Sequence, residues 1–72
     1  MEIRLANQTR IGADVQLWPM EWRALLTALP RGPDGQRIAA VIQAAPLEVT
    51  QPVRIAFDTR DLALIEVAAA QV

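Results

Sequence analysis

The sequence predicts an α+β domain: an N-terminal β-hairpin, two helices, a strand and a last helix, with the helices packed on one face of a small antiparallel sheet. Three observations predict it. Apolar and polar residues alternate over residues 2–17. Trp22, Leu25, Leu26 and Leu29 recur at the i, i+3, i+4, i+7 spacing of a helix. Val53, Ile55 and Phe57 then alternate with Arg54 and Ala56, which returns the pattern to period two.

The hairpin comes first. Ile3 and Leu5 alternate with Glu2 and Arg4, Asn7-Gln8-Thr9 supplies turn residues, and Ile11, Ala13, Val15 and Leu17 alternate with Arg10, Gly12, Asp14 and Gln16. Period two sends one set toward a core and the other toward water. A helix over 19–29 follows. Pro19 suits a first helical position, where a missing N–H costs nothing. Glu21 places a negative charge in the first turn. Pro30 ends the helix, and Arg31-Gly32-Pro33-Asp34-Gly35 reads as a turn.

Residues 36–45 admit two readings. Ile38, Val41, Ile42 and Ala45 fit helical spacing, with Asp34 as a cap, while 37–42 is also short and apolar enough for a buried strand. The Ala and Gln content favours the helix. Pro46 to Pro52 is a connector, and 53–57 is a strand. Asp58 and Asp61 then stand at capping-box spacing ahead of Leu62, Ile65 and Ala69, which predicts a helix over 59–70. Its rival is a second hairpin, turning at 58–61 and returning over 62–67. One echo favours the helix. At an offset of 40, Leu17, Glu21, Trp22, Leu25 and Ala28 match Phe57, Asp61, Leu62, Ile65 and Ala68.

With 72 residues the chain is expected to be one domain. A chain this short buries only about 60% of the surface its unfolded form exposes. It has no cysteine to staple it, yet 53% of its residues are apolar. Some of that apolar material must reach the surface, where a second copy or another protein would cover it. The net charge of −1 gives no field to draw nucleic acid. No run of 18 apolar residues and no leader pattern is present, so the expected location is the cytoplasm. Abundant Ala and absent Lys fit a GC-rich coding genome, bacterial or phage.

The catalytic inventory is thin. Lys, His, Ser, Tyr and Cys are absent, leaving Thr9, Thr27, Thr50 and Thr59 without an imidazole to activate them. The carboxylates are scattered, apart from Asp58 and Asp61, which could hold Mg²⁺ but read more simply as a helix cap. Gly32 and Gly35 do not form a phosphate loop. No enzyme activity, metal or cofactor is therefore expected.

Two binding readings remain. Trp18, Met20 and Trp22, with Arg4 and Arg10, are residue types enriched at protein interfaces. A core this small can hold one indole, which leaves the second, Trp18, for the surface. The outer edge of the hairpin offers a further route, by pairing with a second copy or a partner's strand, although Arg4, Arg10 and Asp14 are charges that would discourage it. This reading is a non-enzymatic protein-interaction module, self-associating as a homodimer. The competing reading is a helix-turn-helix-like DNA-binding regulator, with Gln36 and Arg37 on the recognition helix and Arg31 in the turn before it. Its basic residues are dispersed and balanced by acids, against the clustering that phosphate contact requires.

Overall fold

A computed structural model describes every residue from Met1 to Val72. Its elements are β1 (Arg4–Ala6), β2 (Gly12–Leu17), α1 (Pro19–Ala28), α2 (Pro33–Gln43), β3 (Val53–Asp58) and α3 (Thr59–Ala69). The fold is the α+β arrangement that the sequence predicts. Both ambiguous segments are helices. The sheet order is β1-β2-β3 with antiparallel neighbours. Leu5 stands opposite Val15, and Val15 stands opposite Ile55.

The odd-numbered strand residues face the helices. Val15, Leu17, Val53 and Phe57 form the floor of the core, and Trp22, Leu25, Ile38, Ile42, Ile65, Ala68 and Ala69 descend onto it from the helices. The even-numbered residues make the opposite face. Arg4, Gln16 and Arg54 form one row across it, and Ala6, Asp14 and Ala56 form the next. Polar side chains there meet water while the other face stays dry.

Trp22 is the largest fully enclosed side chain. Its ring centroid lies 6.1 Å from that of Phe57 at a tilt of 43°. Its Nε1–H donates to the Val53 carbonyl at 3.0 Å, so the one polar atom of the indole is satisfied inside the core. The chain ends are tied together as well. The Met1 ammonium donates to the carbonyls of Ala69 at 2.7 Å and Val72 at 2.9 Å. A positive charge there satisfies the Ala69 carbonyl, left open in the last turn of α3.

Three expectations are corrected. The hairpin turn is longer than Asn7-Gln8-Thr9: β2 begins at Gly12, Asn7 takes a left-handed φ of 53°, and Thr9 N–H donates to the Gly12 carbonyl at 2.8 Å. Ile11 is consequently part of the turn and 80% exposed rather than core-facing. The second helix begins at Pro33, three residues before position 36, because Pro at the first turn is already set for helix. Gly32 precedes it at φ 120°, a conformation that Gly tolerates and branched residues do not. Gly35 is also required, since a Cβ there would collide with the Pro30 carbonyl.

Candidate interaction surface

Trp18 ends the period-two run of β2. Leu17 points into the core and is fully buried, so Trp18 emerges on the opposite side and is 46% exposed. It is the N-cap residue of α1, with extended backbone. An indole has no oxygen to cap with, so the cap is supplied in reverse. Trp18 N–H donates to Glu21 Oε1 at 2.8 Å. The same oxygen accepts from Arg4 Nη2 at 2.6 Å. The Trp18 amide first, and the Arg4 guanidinium with it, hold the Glu21 carboxyl below its ordinary value. Strand β1 is thereby clipped to the first turn of α1. Met20, two residues beyond Trp18, is 79% exposed. The result is an exposed aromatic and an exposed thioether at one braced strand-to-helix junction.

The structure separates the other expected interface residues from this pair. Trp22 is enclosed in the core and cannot reach a partner; its place on the Trp22–Leu25–Leu26–Leu29 stripe is what buries it. Arg10 lies in the hairpin turn, at the far end of β2 from Trp18, roughly 20 Å away by strand rise. Arg4 lies beside the pair, with its guanidinium engaged by Glu21.

A second polar cluster joins α2 to α3, and sequence reasoning does not find it. Arg37 donates to both oxygens of Asp61, at 2.6 and 2.8 Å, and to Asp34 at 3.0 Å. Arg60 closes the group on Asp34 at 3.0 Å. Asp61 is buried and its side chain 8% exposed, whereas Arg37 is 47% exposed. The planar fork matches the carboxylate in a bidentate geometry. Asp61 above all, and Asp34 next, raise the Arg37 pKa. Arg37 and then Arg60 hold the Asp34 carboxyl low. Residues 24 apart in sequence carry no local signal for this contact.

Two earlier ideas are affected. Asp58 Oδ1 accepts from Asp61 N–H at 2.8 Å, the helix-cap role, and both Asp61 oxygens are occupied by Arg37. Three of the four carboxylate oxygens are thus committed to structure, and the pair does not converge on a cation. On the DNA reading, α1 and α2 are joined by only 29–32, shorter than the turn the sequence predicts, and Arg31 and Gln36 are exposed. Arg37, the intended base-reading residue, is held by two carboxylates, which place negative charge where a phosphate would approach.

Two shallow depressions mark the surface. One, of about 410 Å³, lies beside the hairpin turn between Ile11, Asp14 and Asp58. The other, of about 350 Å³, lies between the ends of α1 and α3 at Leu29, Leu64 and Val67. Comparison with protein-family models, curated proteins and solved structures finds no match, so a functional reading rests on this geometry.

Proposed function

We propose that this chain is a non-enzymatic protein-interaction module that also self-associates, in the manner of an adaptor, an inhibitor or a phage-encoded modulator of a host protein. One observation carries the reading: Trp18 and Met20 are both exposed at one braced strand-to-helix junction, while Trp22 supplies the core. Exposed Trp and Met are residue types enriched at interface cores, and a backbone already braced at Trp18 has less to order on docking. The competing reading is a small DNA-binding regulator.

The test compares the wild-type chain with the double variant Trp18→Ser, Met20→Ser. A protein bound by the wild-type chain, identified and purified, should bind the variant at least about 30-fold more weakly, the loss expected for a docked anchor worth about 2 kcal/mol. Equal binding by both chains overturns the assignment of the surface. A salt-sensitive gel shift abolished by Arg31→Ala with Gln36→Ala would favour the DNA reading instead.

A further inference from the structure

The free edge of β3 is self-complementary, and we infer that a second copy of the chain pairs with it, strand to strand and antiparallel, about a twofold axis at Ala56. The inference rests on the interaction reading above and names one partner and one register. The expected route was the outer edge of the hairpin. That edge is β1, which is only three residues long; β3 is the other edge of the sheet and has six.

The main chain says which groups are free. Thr59 N–H donates to the Ile11 carbonyl at 3.1 Å. In an antiparallel ladder the bonded pairs recur at every second residue, so Phe57, Ile55 and Val53 turn their main-chain groups toward β2. Arg54, Ala56 and Asp58 turn their N–H groups outward, and no turn or loop hydrogen bond reaches them. An unpaired row of this kind is a template for another strand.

The side chains select the register. With Ala56 opposite its own copy, Arg54 stands opposite the copy's Asp58, and Asp58 opposite the copy's Arg54. All three outward-turned residues are then used. Sliding by two residues one way sets Asp58 against Pro52, which has no N–H. Sliding the other way sets Arg54 against Arg60. Within one chain Arg54 and Asp58 lie about 13 Å apart along the strand and do not meet. Arg54 commits only its Nε, to Gln16 at 2.9 Å. Asp58 commits only Oδ1, to the α3 cap. The terminal nitrogens of one and Oδ2 of the other remain open, and opposite charges facing across strands favour pairing. On the core side, Ile55, half-buried at the edge, would meet the copy's Phe57.

The chain has no cysteine, which permits a direct test. Across a bonded antiparallel pair the Cα atoms lie about 5.5 Å apart, inside the disulfide range of about 4.4–6.8 Å. Ala56→Cys should therefore oxidise rapidly to a covalent dimer, while Ala40→Cys, exposed on α2, should not. Light scattering on the unmodified chain at on the order of 100 μM should show a dimer of micromolar affinity, as befits a small interface. Ala56→Pro removes an N–H that the single chain does not use and should give a monomer of unchanged circular dichroism. Arg54→Glu should weaken the dimer at least about tenfold by setting like charges opposite. A monomeric wild-type chain, or a dimer that survives Ala56→Pro, overturns the inference. If Ala56→Pro does not fold, equal cross-linking of Ala56→Cys and Ala40→Cys overturns it alone. Dimerisation lost in Trp18→Ser but kept in Ala56→Pro would remove the β3 pairing and leave the interaction reading standing.

Discussion

The β2–α1 and β3–α3 units start from the same local pattern and finish it in opposite ways. Each passes from a strand into a helix through a residue whose third successor is a carboxylate, Glu21 in one and Asp61 in the other. In α1 the carboxylate reaches back to the Trp18 N–H. In α3 the N-cap Asp58 reaches forward to the Asp61 N–H. A full capping box would contain both bonds, and each helix carries one half. The division frees the other residue of each pair. Trp18 need not cap and can face outward. Asp61 need not cap and can turn inward to take Arg37. A local motif therefore sets where a helix begins, while its unused half is available for packing or for the surface.

The sharpest way to break the comparison is at the matched apolar positions. Trp22 is enclosed and Leu62 only half-buried. Trp22→Ala should cost about 3–5 kcal/mol, a large share of what so small a domain possesses. Leu62→Ala should cost less than half as much. Paired denaturant melts check the difference, and equal losses would mean that the two units bear on the core alike.

The carboxylates come next. Asp61→Ala removes two charge-assisted bonds from a buried site and should cost about 2–3 kcal/mol. The loss stays below that of a fully buried ion pair because Arg37 can turn to water. Glu21→Ala, at the matched position, should cost about 1 kcal/mol or less, since its pair with Arg4 is half-exposed. Urea titration separates the two.

The caps give a smaller effect. Asp58→Ala should lower stability by about 1 kcal/mol and Asp58→Asn by only a few tenths, because Asn caps nearly as well. Such a result would confine the role of Asp58 in the single chain to its acceptor oxygen and leave its charge for a contact outside it.

The smallest expected effect is the pH dependence. Folding lowers the Glu21 and Asp34 pKa values below their ordinary 4.5 and 3.8. Groups shifted this way stabilise the fold above the ordinary value and lose that contribution as pH falls through the lowered one. Melting temperature should therefore hold above about pH 5 and fall below about pH 4. Glu21→Gln should flatten part of that fall. A rise in stability on acidification would contradict the sign.

Much of this architecture was legible in the residues, and the exceptions have physical causes. Periodicity separates strands from helices at 13–17, 22–29 and 53–57 because those runs have one apolar face. It does not separate the tryptophans, which stand four apart at helical spacing; the size of the core, which holds one indole, is what leaves Trp18 for the surface. Periodicity does not decide 36–45, where the apolar run is short enough for either state and only the Ala and Gln content favours the helix that forms. It fails at Ile11, which keeps the alternation and still accepts from the Thr59 N–H but lies past the end of the core, where its side chain meets solvent. The Arg37–Asp61 pair and the open edge of β3 depend on which elements become neighbours, and strand order is not written in any one segment.

Amide hydrogen exchange on the unmodified chain, at low and high concentration, tests the central claim most directly. The N–H groups of Arg54 and Ala56 should exchange quickly when the chain is dilute and become protected as it is concentrated, while Leu5, turned outward from β1, stays fast at both. Exchange that is fast at both edges and indifferent to concentration would contradict a β3 edge made to receive its own copy.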